Sequence, residues 1–469
     1  MADDPWSWAA TTAVARLSKG EISASELLSS VRARVDAVNC QVNALPTTCF
    51  DRAEAKAAEL QNKALGKRGR FKGLPWPIKD SAAVDGVRTT YGSTAFSDHI
   101  PRYSDYLVEA IEAEDGVVFA KSNTPEFEAG ANTFNDVFGR TLNPFDLKRS
   151  AGGSSGGAAV AVATGMAFVA QGSDFACSLR YPAAFCNVVG LRPSPGLIPM
   201  GPTPLPFQTL SVAGPLARNV ADVGLAMDGM ARFDLRDPLS RISSPTYLRA
   251  AQAPQRPSRV AFSMDLGLSP VDRVVRKVVL AAVQRLACEG LRIEQAEPDL
   301  LASHSAFKTL RAFQFAALHR DTFDKHRARL KPEVVWNIEE GLELDAATLA
   351  GAEAERSILR GCMIQFLTEH EFLITPTAPV EPFPVEERYV SSIDGCELPT
   401  YLDWLALGYA VTICGCPAIS IPCGLSENGL PIGIQLIGRP YGERDLLSAA
   451  AWCEAVLGCA LATPVEPSL

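Results

Sequence analysis

The sequence is poor in histidine. Five occur in 469 residues, His99, His304, His319, His326 and His370, and none has a neighbourhood that marks a general base. A serine–histidine–aspartate triad therefore has no evident proton acceptor. Paired metal-type cysteines are also missing. The 12 cysteines are scattered, several in apolar runs such as Thr412-Ile413-Cys414-Gly415-Cys416. No Cys-x-x-Cys is matched by the second pair that a structural zinc site requires. This usage predicts reduced, mostly buried thiols in a cytoplasmic protein, with no metal and no cofactor. Positive charge is not in excess either: 44 basic against 53 acidic residues give a net charge of −9. That balance does not favour a broad nucleic-acid or anionic-membrane surface. No apolar run is long enough to span a bilayer. The opening MADDPWSWAATTAVARLSKG lacks the basic start and apolar centre of a secretory leader. There is no internal repeat and no low-complexity segment.

What is present is a globular composition, 47% hydrophobic and 21% charged, sufficient for a large core. No nucleic-acid partner is expected, and the composition suits a monomer or a homodimer alike. Small residues are concentrated in one stretch, Arg149 to Pro193, RSAGGSSGGAAVAVATGMAFVAQGSDFACSLRYPAAFCNVVGLRP. A glycine-serine turn, Gly152 to Gly157, runs into the apolar segment Ala158 to Ala170. A second turn, Gly172 to Ser178, follows. Small side chains let backbone approach backbone or ligand closely, so two serines on two such turns form a candidate acyl-transfer site.

Periodicity predicts strands alternating with helices, hence an α/β fold. Trp6 to Leu17 reads as a short amphipathic helix. Ser23-Ala24-Ser25-Glu26 is a capping box ahead of apolar positions Leu27, Leu28, Val31, Val35 and Val38. Asp51 to Leu65 is a third helix. A strand enters through Gly73 to Asp80 and ends near Lys79. A helix over Tyr106 to Glu112 and a strand over Gly116 to Ala120 lead to a long loop, Asn123 to Ser150, of a length that is usually functional. Further strands are predicted at Val188–Leu191, Arg259–Phe262, Phe372–Pro376, Ala418–Ile421 and Ile432–Ile437. Helices are predicted at Ala158–Ala163, Val220–Met230, Val271–Ala287, Phe307–Leu318, Ala346–Thr368 and Glu443–Leu457.

The glycine-serine stretch resembles the amidase signature family of serine hydrolases. The family pattern is a GGSSGG turn, then G-[ST]-D-x-G-G-S-[ILV]-R-x-P, with a lysine upstream in P-x-x-x-K-D. Leu74-Pro75-Trp76-Pro77-Ile78-Lys79-Asp80 supplies that lysine, and the spacing from Lys79 to Ser154 to Ser178 suits the family without a gap. Asn123 to Phe127, Phe138 to Pro144, Gly415 to Pro422 and Gly429 to Gly438 are similar to family blocks as well. The likeness covers nearly the whole chain and is weakest from about Met200 to Thr375. One departure stands out: Ala176 and Cys177 replace the glycine pair before the nucleophilic serine.

The resemblance implies one domain over residues 1–469 with a central mixed sheet covered by helices on both faces. Within it, a helical cover would occupy roughly 1–70, the signature core 71–200, a variable substrate-side region 200–375 and a C-terminal core return 376–469. It implies Ser178 as nucleophile, Ser154 as bridging serine beside a cis Gly153–Ser154 peptide, and Lys79 as base. The backbone N–H groups of Phe175, Ala176, Cys177 and Ser178 would form the oxyanion hole. Ser155, Asp174 and Arg180 would support the site, and Glu128, Thr133 and Phe134 would contact substrate. The implied activity is hydrolysis of amide C–N bonds in a small-molecule substrate, with hydrophobic or aryl amides favoured and esters or carbamates open to the same chemistry. The same family holds the amidase subunit of tRNA-dependent amidotransferases, and a non-catalytic binding relative is a further alternative.

Gly152-Gly153-Ser154-Ser155-Gly156 also matches the G-x-S-x-G of α/β-hydrolases. That motif needs an apolar strand directly before it, and Asn143-Pro144-Phe145-Asp146-Leu147-Lys148-Arg149-Ser150 is not one.

Overall fold

The computed structural model describes residues 4–243, 246–459 and 463–468. Its centre is an eight-stranded sheet. In spatial order the strands are Arg292–Gln295, Arg259–Phe262, Phe372–Pro376, Pro431–Ile437, Ala418–Leu425, Val189–Arg192, Val212–Ala217 and Val169–Asp174. The first three run parallel and the remaining pairings are antiparallel, so the sheet is mixed, with helices on both faces. A separate three-stranded sheet sets Pro75–Lys79 parallel to Val117–Ser122, with Thr47–Thr48 on the far side.

The helix Gly156–Ala163 packs on Val169–Asp174, on Val212–Ala217 and on Pro75–Lys79, so it links the two sheets. Its sequence, GGAAVAVA, has no polar side chain because every residue is buried. A helix enclosed all round has no use for an amphipathic pattern.

Local chemistry accounts for most boundaries. Ser23 Oγ accepts from Glu26 N at 3.2 Å and Glu26 Oε2 accepts from Ser23 N at 2.8 Å, closing the capping box. The helix that follows buries Leu27, Leu28, Val31, Val35 and Val38. The strands Arg259–Phe262 and Phe372–Pro376 and the helices Val220–Met230 and Glu443–Leu457 fall where periodicity sets them.

Several expectations change: the helix expected over Asp51 to Leu65 is Phe50–Gln61, that over Phe307 to Leu318 is Ser303–His326, and the loop Asn123 to Ser150 holds the short strands Phe134–Asn135, Gly139–Arg140, Leu142–Asn143 and Asp146–Ser150. The first helix is Ala10–Lys19, not Trp6 to Leu17; Pro5 opens a separate 3-10 turn, Pro5–Ser7, and Trp8 is extended. The helix predicted from Val271 begins at Arg273, because Asp272 caps it by accepting from Val274 N at 2.7 Å. Most relevant to function, Gly172, Ser173 and Asp174 are not a turn. They end the buried strand Val169–Asp174, with Ser173 opposite Ala213 and Asp174 opposite Val212. Alternation is hidden there because both faces of the strand are covered.

Candidate active site

Three segments converge on Lys79. Its side chain lies at the end of its strand and is fully buried. The Nζ donates to Ser154 Oγ at 2.6 Å and to Ser173 Oγ at 2.8 Å. The Lys79 backbone N–H donates to Gln171 Oε1 at 2.9 Å. Gln171 and Ser173 are two residues apart on one strand, so they share a face, and that face is turned to Lys79.

A carboxylate completes the environment. Glu128 Oε1 lies 2.6 Å from Lys79 Nζ. It also accepts from Ser81 Oγ at 3.0 Å and from Ser173 Oγ. Phe127 and Glu128 have φ of 45° and 61°, a left-handed conformation that non-glycine residues rarely adopt. The bent backbone turns Glu128 inward. Burial lowers the Lys79 pKa, and the Glu128 charge opposes that fall without cancelling it. Burial would raise the Glu128 carboxyl, but Lys79 outweighs it and holds Glu128 below the usual range.

The glycine-serine turn is fixed from outside. Thr133 Oγ1 donates to Gly152 O at 2.8 Å and accepts from Gly156 N at 3.1 Å. A Cβ on Gly156 would sit 2.4 Å from that hydroxyl, so only glycine fits. The Gly153–Ser154 peptide is cis. Ser155 Oγ donates to Ser173 O and accepts from Ser173 N, both at 3.3 Å. Ser155 N donates to Ser178 O at 3.3 Å, which ties the two serine turns together.

Ser178 is 7% exposed, and its Oγ makes no hydrogen bond among the described residues. The N–H groups of Phe175, Ala176, Cys177 and Ser178 likewise have no protein acceptor there. Four successive unengaged donors beside a free hydroxyl are suited to receive an oxyanion. The turn is held by charge behind it. Asp174 Oδ2 accepts from Leu179 N at 3.1 Å and from Arg180 Nε at 3.0 Å, and Arg180 Nη2 reaches Asp174 Oδ1 at 2.9 Å and Ala176 O at 2.7 Å. Arg192 Nη1 adds a fourth contact to the Asp174 carboxylate, at 3.3 Å. Burial would raise the Asp174 carboxyl; the two arginines hold it below the usual range.

Ala176 and Cys177 fit this turn without glycine geometry, since neither has a positive φ. The room comes from the opposite side: a Cβ on Gly408 would lie 2.5 Å from both Ala176 O and Cys177 Cβ. The Cys177 side chain is fully buried, and burial pushes its thiol well above the usual range.

Lys79, Ser154, Ser155, Asp174, Ser178 and Arg180 are thus brought together, and Glu128 joins them on the lysine. Thr133 braces the glycine-serine turn. Phe134 stands apart, beneath Lys331 Nζ at 4.4 Å and Arg388 Cζ at 5.1 Å from its ring centre. Gln171, Ser173 and Ser81 were not singled out from sequence. The polar pair Gln171 and Ser173, two apart among apolar residues, is the signal that would have found the first two. Among the described residues no cluster of three or more histidine, cysteine, aspartate or glutamate side chains could hold a metal ion. No helix there is long and apolar enough to cross a membrane.

The amidase family profile matches residues 26–447. The chain belongs to the amidase signature family, and it is an amide-hydrolysing enzyme. This amidase is 34% identical over 454 residues to an acylamidase of Rhodococcus erythropolis, covering 95% of each chain. It is 30% identical over 465 residues to a glutamyl-tRNA(Gln) amidotransferase subunit of Geotalea daltonii, covering 93% of this chain and 94% of that one. In structure it is similar to a bacterial aryl acylamidase of the amidase signature family, with a TM-score of 0.92 and 26% identity, over 99% of this chain and 100% of that one. The substrate complex of 6-aminohexanoate cyclic dimer hydrolase matches at a TM-score of 0.87 and 26% identity, over 99% of both chains.

The helix Ser303–His326 packs beside the Phe175–Ser178 turn of this amidase. Phe307, Arg311, Phe315 and His319 recur every four residues on one face. The Phe307 ring lies 5.8 Å from Phe175 and stacks on Tyr409 at 4.5 Å. His319 lies 4.4 Å from Phe127 at the other end.

Proposed function

We propose that this enzyme hydrolyses hydrophobic or aryl amides through an acyl-enzyme on Ser178. The observation that carries the reading is the buried 2.6 Å contact from Lys79 Nζ to Ser154 Oγ, set beside the free Ser178 hydroxyl and the four unengaged N–H groups. Lys79 in its neutral form accepts the Ser154 proton while Ser154 accepts that of Ser178. Ser178 Oγ attacks the carbonyl carbon, and the carbonyl oxygen becomes an oxyanion held by N–H groups of the Phe175–Ser178 turn. The proton returns from Lys79 through Ser154 to the departing nitrogen, and the C–N bond breaks. Water then attacks the ester by the same relay, releasing the acid and restoring Ser178. Burial of Lys79 favours the amine this scheme requires.

The partly exposed Phe175 ring, backed by Phe307, favours a flat or apolar substrate, as do the acylamidase and aryl acylamidase relatives. All 12 cysteines are free thiols, which supports a cytoplasmic location. The test is hydrolysis of an acylated nitroaniline by the wild type beside Ser178→Ala. Turnover that vanishes in the variant supports the reading; full activity in the variant removes Ser178 as nucleophile. The 30% identity to a component of an amidotransferase supports a second reading, in which the chain works with partner subunits on glutamine. Turnover of a simple amide by the purified chain alone counts against it.

A further inference from the structure

Arg311 is 3% exposed and has no carboxylate within 4.0 Å among the described residues. Other buried guanidinium groups have a carboxylate or several carbonyls around them, although Arg192 Nε has no partner among the described residues. Arg180 and Arg192 share Asp174. Arg218 lacks a carboxylate too, but its Nη atoms donate to the carbonyls of Val162, Ala167 and Trp8. Arg311 is different. Its Nε donates to Asn337 Oδ1 and its Nη2 to Tyr401 Oη, both at 3.2 Å. That uses one edge of the guanidinium, and Nη1 has no protein acceptor among the described residues.

The group is also held in place. Its Cζ lies 4.9 Å from the Phe175 ring centre and 4.4 Å from that of Phe315. Phe175 opens the oxyanion turn, so the unsatisfied donors lie against the wall of the site. The acids on nearby elements are engaged elsewhere: Asp403 by Lys308, Glu333 by Arg388 and Glu128 by Lys79. His319, one turn beyond Phe315, is neutral at ordinary pH because burial lowers its pKa to about 4. A buried cation without a counter-charge is costly unless something supplies one.

The geometry points to Arg311 as a recognition group for a carboxylate on the substrate, so that the preferred amides carry an acid group on a flat or apolar body. This rests on the amidase reading of the same site. The guanidinium is planar, always charged and suited to a carboxylate, and the aromatic walls suit the body that joins that carboxylate to the scissile amide.

The test is binding, which needs no turnover. Ser178→Ala protein is titrated calorimetrically with malonyl, succinyl and glutaryl anilides and with their methyl esters. At the chain length that fits, the acid is expected to bind at least about tenfold tighter than its ester. Adding Arg311→Met should abolish that difference while leaving the ester's affinity within about threefold. Equal affinity of acid and ester at every length overturns the proposal, as does an acid preference that survives Arg311→Met. If Arg311→Met fails to fold, Arg311→Gln takes its place. The comparison of acid with ester on Ser178→Ala alone also stands without either variant. An arginine that only packs the wall would change stability or overall rate, not the ratio of acid to ester. Wild-type hydrolysis of neutral acyl nitroanilides tests the amidase reading separately, so failure of either is distinguishable.

Discussion

Glu128 Oε1 and Ser154 Oγ both lie 2.6 Å from Lys79 Nζ. The lysine thus stands between a carboxylate that favours its ammonium form and a serine that, in the proposed relay, needs its amine form.

The pH profile should report this opposition. Glu128 raises the proton affinity of Lys79 while burial lowers it. Removing the charge in Glu128→Gln leaves burial less opposed, so the Lys79 pKa falls further. In the proposed relay the neutral amine is the active form, and the acid limb of kcat/KM therefore moves to lower pH. One pH unit below the wild-type midpoint, the variant should keep a fraction of its own plateau up to about tenfold larger than the fraction wild type keeps. The measurement is kcat/KM against pH for both proteins. An acid limb that stays in place or moves up would mean that Glu128 does not set the protonation of the base.

Asp174 carries the electrostatic support of the Phe175–Ser178 turn, the proposed oxyanion site. Asp174→Asn leaves Arg180 and Arg192 buried without their counter-charge. Losing one partner of a buried pair costs about 3–5 kcal/mol. The denaturant midpoint should fall accordingly at neutral pH. The sign with pH follows from the depressed carboxyl. Its contribution is fully present above the unfolded pKa and is lost as pH falls through the folded one, so the gap between wild type and variant narrows in acid. A variant as stable as wild type at neutral pH would remove Asp174 from this role.

The legibility of the site varied with how local its signal was. Lys79, Ser154 and Ser178 were readable because each sits in a short run that resembles the amidase signature pattern, and small residues mark the close-packed turns around both serines. Ser173 was not readable. Its strand is covered on both faces, so Gly172-Ser173-Asp174 looks like a turn when only its composition is considered. The contact of Glu128 with Lys79 depends on left-handed backbone at Phe127 and Glu128, a conformation that no residue type there announces. Arg311 was hidden for another reason. The helix Ser303–His326 mixes apolar and polar residues on every face, and the stripe of Phe307, Arg311, Phe315 and His319 has meaning only once Phe175 and Phe127 lie against it. The strands and helices of the core, by contrast, follow from periodicity and caps that act within a few residues.

Cys177 places a thiol directly beside Ser178, a second nucleophile by residue type alone, and the two should separate cleanly. The Cys177 side chain is buried and its thiol is pushed up by burial, so it holds its proton. Cys177→Ala keeps the backbone N–H and should retain kcat within about threefold, allowing for a small packing change. Ser178→Ala should lose at least about a thousandfold. Treatment of the folded wild type with iodoacetamide should label exposed Cys40, Cys288 and Cys396 and leave activity intact. Loss of turnover in Cys177→Ala comparable to that in Ser178→Ala would reverse the assignment.

Gly408 provides the sharpest test of the proposed oxyanion turn because it touches no reacting group. It lies in the helix Ala406–Cys414, directly behind Ala176 and Cys177. Ordinarily Gly→Ala in a helix is favourable by roughly 0.5–1 kcal/mol. Here the new methyl would come within 2.5 Å of Ala176 O and Cys177 Cβ, so one of these must move. Ala176 O is tied to Arg180 Nη2 at 2.7 Å, and the whole turn shifts with it. Displaced donors no longer meet the oxyanion, and the loss of one good donor costs about a hundred- to a thousandfold in rate. Gly408→Ala should therefore lower kcat by about a hundredfold while KM changes little, with circular dichroism unchanged. If kcat instead holds within about threefold, the turn tolerates displacement and the N–H groups of Phe175 to Ser178 are not the oxyanion donors.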